Sequence, residues 1–78
     1  MNLWIRSQDN ETICKVECIE IMYTADGYSH LFVNGKFPDL IIGTYENERT
    51  LEVLDEIQKV MEDNANFEKI FIYQMPKE

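Results

Sequence analysis

His30 is the only histidine in the 78 residues and the one side chain whose ordinary pKa lies near neutrality, so it is the first candidate for general acid or base work. It lies in the strand-forming run Tyr28-Ser29-His30-Leu31-Phe32-Val33, where a histidine that is simply exposed or hydrogen-bonded is the commoner case. Carboxylates are plentiful, but Glu48, Glu52, Asp55, Glu56, Glu62 and Asp63 fall on the outward face of a helical repeat, where solvation is their default role. Cys14 and Cys18, placed on one strand, would have Cα atoms about 13 Å apart at roughly 3.3 Å per residue, too far for a disulfide. Two thiols and one histidine also fall short of a zinc set. Both cysteines are therefore expected as buried, reduced thiols. The chain has no glycine-rich phosphate loop, no nucleophile elbow and no His-Glu-x-x-His, and two of its three glycines belong to turns. No catalytic residue, metal or cofactor is expected.

Binding chemistry is better represented. Trp4 and Arg6 share one face of an opening strand, and Ser7 and Gln8 follow with hydrogen-bonding groups. Together they could stack on a base and grip a phosphate or base edge of a small nucleotide. The plainer reading, which is preferred, is an arginine stacked on an aromatic ring and paired with a nearby carboxylate. Trp4, Tyr23, Tyr28, Phe32, Tyr45, Phe71 and Tyr73 exceed what one small core absorbs, so some are expected at an interface. The candidate contact set is Trp4, Phe71, Tyr73 and Met75, because the segment from Phe67 to Met75 is apolar on both parities.

Length and charge bound the setting. Residues 1–78 fit one domain, and 45% apolar residues suffice for a core. Fifteen acidic against seven basic residues give a net charge of −8, which repels duplex DNA and anionic membranes from the molecule as a whole. With no long apolar run and no signal-like start, a cytoplasmic protein is expected.

The elements that would position these residues follow from periodicity. Leu3 to Arg6 alternates as a strand and ends in the turn cluster Ser7-Gln8-Asp9-Asn10. From Thr12 the inward phase Cys14, Val16, Cys18 slips to Ile19, Ile21, Tyr23. Such a slip needs a β-bulge, a bend or a change of layer, and a bulge is expected. Asp26-Gly27 and Asn34-Gly35 suit type I′ turns on either side of Tyr28–Val33. The next strand starts at Lys36 and carries Leu40-Ile41-Ile42 before Gly43; Pro38 suggests an edge position or a bulge. Thr50, Val53, Leu54, Ile57, Val60 and Met61 then form a helical stripe over Asn47 to Asp63, with Asn47 as N-cap and Asn64 and Asn66 in a following loop. Pro76-Lys77-Glu78 reads as a loose tail. The fold expected is α+β: a four- or five-stranded, mostly antiparallel sheet in the order β-β-β-β-α-β, with one helix on one face.

The opening Leu3-Trp4-Ile5-Arg6-Ser7-Gln8-Asp9, the step Gly43-Thr44-Tyr45-Glu46 into Glu48-Arg49, the stretch Leu51 to Ile57 and the closing Tyr73-Gln74-Met75-Pro76 resemble a family of small proteins from Gram-positive bacteria, their prophages and phages. The resemblance covers both ends and the helix but not the strands between. It brings no activity; it implies an accessory role, such as blocking a host defence protein or sequestering a nucleotide signal. Three functions are carried forward: a non-catalytic homo-oligomer, a nucleotide-sequestering protein, and an acidic inhibitor of a nucleic-acid-binding protein acting through Glu52 and Glu56.

Overall fold

A computed structural model describes residues 2–63 and 70–78. The chain is α+β, with strands β1 (Asn2–Arg6), β2 (Ile13–Lys15), β3 (Ile19–Tyr23), β4 (Tyr28–Val33) and β5 (Ile41–Glu46), helix α1 (Asn47–Asp63) and strand β6 (Ile70–Gln74). Among the described residues, these six strands form two three-stranded sheets, β2-β1-β6 and β3-β4-β5, rather than one sheet of four or five. All pairings are antiparallel except β1 with β6. The expected loop at Asn64 and Asn66, and the start of the last element at Phe67, lie outside the described residues.

The parity slip at Cys18-Ile19 is resolved by a change of sheet, not by a bulge. The chain leaves β2, bends at Glu17 and enters β3 of the other sheet. Asn34 holds this crossing together: its side-chain oxygen accepts from the Glu17 amide at 2.7 Å and the Cys18 amide at 3.3 Å, while its nitrogen donates to the Lys15 carbonyl at 2.9 Å. Because Lys15, Cys14 and Ile13 alternate on one sheet and Ile19, Ile21 and Tyr23 on another, each run keeps its own inward parity. The true ladder irregularity is between Leu31 and Phe32, opposite Ile41 to Gly43.

Asn34 and Gly35 both have positive φ, 59° and 67°, as a type I′ turn requires. In the other hairpin only Gly27 does, at 87°, and Thr24 N–H donates to the Tyr28 carbonyl across a three-residue loop. Expectation and structure differ there because Asp26 uses its carboxylate instead, accepting from the Thr24 hydroxyl and the Tyr28 amide. Pro38, joined to Phe37 by a cis peptide bond, lies in the turn before β5, which starts five residues later than the expected Lys36 and is an edge strand. Gly43 is inside β5, not at its end, because the Tyr45 ring folds over it: a Cβ there would lie 2.7 Å from Tyr45 Cε2 and 3.1 Å from Met75 Cε.

The helix spans the residues its periodicity marks. Thr50, Val53 and Ile57 are buried, and together with Leu3, Ile5, Leu31, Val33, Ile42, Tyr45 and Met75 they place one core between the inner faces of both sheets and the helix. Met61, at the far end of the stripe, is exposed. The N-cap expectation is corrected. In the orientation its neighbours require, the Asn47 amide nitrogen donates to the carbonyls of Gly27 and Tyr28 and to Ser29 Oγ, tying the helix start to the β3–β4 hairpin. Beneath it, Ser29 Oγ donates to Thr50 Oγ1 at 2.7 Å, and Thr50 Oγ1 donates to the Glu46 carbonyl at 3.1 Å.

Candidate functional site

In a strand, alternate side chains face opposite ways, and residues paired in register share a face. Trp4 is in register with Lys15 and Ile72, and Arg6 with Ile13 and Gln74, while Ile70 shares the parity of Ile72 on β6. These positions make up the outer face of β2-β1-β6, while Leu3, Ile5, Cys14, Phe71 and Tyr73 face the core or helix. Ile70 is 63% exposed, Ile72 55% and Ile13 48%, and Trp4 between them is partly exposed. No carboxylate occupies any of these strand positions, although the chain carries fifteen; Arg6 and Lys15 give the face a positive charge. The result is an apolar, basic surface on an acidic body.

The expected contact set is thus divided. Trp4 lies on the open face, but Met75 is fully buried, and Phe71 and Tyr73 are half-buried on the helix side, where Tyr73 Oη donates to Glu56 Oε2 at 3.0 Å. The outward parity of β6 belongs to Ile70 and Ile72. The alternation of the strand had already separated these two sets; only their direction was missing, since both are apolar.

The nucleotide-binding set is divided as well. Arg6 donates through Nε and Nη2 to the Asn10 carbonyl at 3.1 and 3.0 Å, closing the turn after β1. Ser7 is buried, its hydroxyl donating to Asp9 Oδ1 and accepting from the Thr12 amide. That hydroxyl, with the Glu11 amide, holds the exposed Asp9 carboxyl below its usual pKa. Gln8 points away from Trp4: its Oε1 accepts from the Thr44 amide at 2.8 Å and its Nε2 donates to the Lys77 carbonyl at 2.8 Å. Trp4 and Arg6 stay neighbours on one face, while Ser7 and Gln8 serve the turn and the join to β5.

Sequence reasoning missed a second feature. Pro76-Lys77-Glu78 is not a loose tail, because three elements hold its successive carbonyls. Tyr45 Oη of β5 donates to Pro76, Gln8 Nε2 to Lys77, and Arg49 Nε of α1 to Glu78. Lys77 and Glu78 line a cleft of about 360 Å³ with Tyr28, Thr44 and those three donors. Arg49 also pairs with Glu52 at 3.3 Å and Glu56 at 3.1 Å, so both carboxylates expected to mimic nucleic acid are partly neutralised within the chain. Burial, reinforced for Tyr73 by its bond to Glu56, pushes the phenols of Tyr45 and Tyr73 up to about 12. Nothing in the sequence flags this tail contact, because main-chain carbonyls have no residue signature.

His30 Nδ1 is 2.8 Å from Thr44 Oγ1, and its ring stands 6.1 Å from that of Phe37 on the outer face of β3-β4-β5. Among the described residues no group of three His, Cys, Asp or Glu side chains converges to hold a metal, and Cys14 and Cys18 are free thiols. Cys18 is exposed, where the sequence reading expected it buried, because the change of sheet takes it out of the inward phase. Burial raises the Cys14 thiol pKa. No helix among the described residues is long and apolar enough to cross a membrane.

In class, then, the molecule is a small α+β domain that groups Ile13, Ile70 and Ile72, three of its most exposed apolar side chains among the described residues, on one sheet. The chain matches no family model, no curated protein and no solved structure.

Proposed function

We propose that this protein is a non-catalytic, self-associating accessory domain, and that the sheet β2-β1-β6 carries its contact surface. The observation that carries the reading is the run of Trp4, Ile13, Ile70 and Ile72 on one uncovered, carboxylate-free face. Monomeric proteins rarely leave large apolar side chains grouped in this way, whereas single exposed ones are ordinary. The phage or prophage setting implied by the resemblance in the opening strand and helix is part of the same proposal, as is a cytoplasmic location. Size-exclusion chromatography with light scattering tests it. The expected result is a mass that rises above 9.3 kDa with concentration for the native chain and stays there for Ile70→Lys/Ile72→Lys. A native chain that remains monomeric at high micromolar concentration removes the reading.

The nucleotide alternative is weaker, since Gln8 and Ser7 already spend their hydrogen-bonding groups inside the fold. What favours it is the adjacency of Trp4 and Arg6 on the open face. A thermal-shift screen with mono-, cyclic and dinucleotides decides it, because a ligand that binds the native state must raise the melting temperature.

A further inference from the structure

We propose that a second copy of this chain pairs antiparallel along the free edge of β6, joining two three-stranded sheets into one six-stranded sheet across a two-fold axis. This rests on the self-association reading and adds its mode, edge pairing as opposed to stacking of the two faces.

An unpaired edge is a row of unused N–H and C=O groups, and folded proteins blunt such edges with short strands, charge, proline or a covering segment. The described residues give four sheet edges. β2 is three residues long and carries Lys15. β3 carries Glu20 at its second position. β5 is preceded by Pro38 and covered near its middle, where the Gln8 amide donates to the Ile42 carbonyl and Gln8 Oε1 accepts from Thr44. Among the described residues, β6 has none of these protections. Ile70-Phe71-Ile72-Tyr73-Gln74 contains no charge and no proline, consists largely of strong strand formers, and among the described residues pairs only with β1.

Exposure and charge select the edge over the face. Exposure rises from partly exposed Trp4, in the central strand, to 55% at Ile72 and 63% at Ile70 on the edge strand. Among the described residues, the outward side chains of this sheet are therefore least covered on the edge strand β6. Stacking two faces would set Arg6 and Lys15 of one copy against those of the other. Edge pairing leaves these groups side by side and brings two molecules of charge −8 together along a strand that has no charge. With the axis through Ile72, Ile70 would lie opposite the partner's Gln74 on the open face and Phe71 opposite the partner's Tyr73 on the helix side, so both faces of the new ladder gain cross-strand contacts. The interface is isologous and closes at two copies.

Hydrogen exchange of the intact protein, followed by mass spectrometry from low to high micromolar concentration alongside light scattering, separates the outcomes. Edge pairing predicts that dimer appears and that amides within residues 70–74 slow together with it, by roughly tenfold or more where a new ladder bond forms. A dimer with unchanged exchange in residues 70–74 overturns the edge mode and leaves self-association standing. Absence of any dimer overturns both. An Ile72→Lys variant that keeps the native far-ultraviolet spectrum should be monomeric; if it dimerises without slowing of the amides in residues 70–74, the edge is not the contact.

Discussion

Replacing Thr50 by valine keeps the shape of a fully buried side chain while removing a buried hydroxyl that links helix to sheet. Thr50 Oγ1 accepts from Ser29 Oγ at 2.7 Å and donates to the carbonyls of Glu46 at 3.1 Å and Tyr45 at 3.3 Å, and both hydroxyl residues are wholly shielded from water. In Thr50→Val the Ser29 hydroxyl loses its acceptor in a site water cannot reach, a penalty of about 1–3 kcal/mol. Ser29→Ala is milder, about 1 kcal/mol, because Thr50 keeps its carbonyl acceptors and loses only a donor. The double variant removes both polar groups, so its cost should fall short of the sum by about 1 kcal/mol. For a domain of this size each 1 kcal/mol moves Tm by roughly 4–8 °C, so the cycle is measurable by urea and thermal unfolding followed through far-ultraviolet dichroism. Additive costs within about 0.3 kcal/mol would refute the argument that these two hydroxyls form one buried unit.

Gly43→Ala should destabilise by about 1–3 kcal/mol, as overpacking does, because the new methyl enters the space of the Tyr45 ring; weakened protection of the Pro76–Glu78 segment in hydrogen exchange would report the displaced ring. Asn34→Gly keeps the positive φ of the turn but loses three side-chain bonds to the β2–β3 crossing, so it should cost about 1–3 kcal/mol in urea unfolding, and Asn34→Ala more. Stability should fall as pH rises from 10 toward 12. Tyr45 and Tyr73 hold their protons to about 12 when folded, so the unfolded chain, with ordinary phenols, releases them first and is favoured. Tyr73→Phe should flatten that decline relative to the native chain, read as unfolding midpoints at pH 9 and pH 11.

The helix was legible from Asn47 to Asp63 because a 3.6-residue stripe is a local signal, and β4 was legible from Tyr28 to Val33 for the same reason at period two. The division into two sheets was not, because the parity slip at Cys18-Ile19 fits a bulge and a change of layer equally well, and Asn34, sixteen residues away, decides between them. Gly43 looked like a strand end since glycine usually interrupts strands; only the position of Tyr45 two residues later makes it a strand interior. Trp4 and Arg6 were rightly seen as neighbours on one face. Which parity of β6 joins them depends on its parallel register with β1, a pairing between chain segments more than sixty residues apart. The apolar surface therefore contains Ile70 and Ile72, while Phe71 and Tyr73 turn to the helix.

Self-association is tested most directly by small-angle X-ray scattering of the native chain over a concentration series. The single chain has a Cα radius of gyration of 12.1 Å and a mass of 9.3 kDa. The prediction is a forward scattering that climbs with concentration to twice the monomer mass, with a radius of gyration that rises in step. A forward scattering fixed at the single-chain mass up to about millimolar concentration, where even contacts of only about 4 kcal/mol are populated, would contradict it.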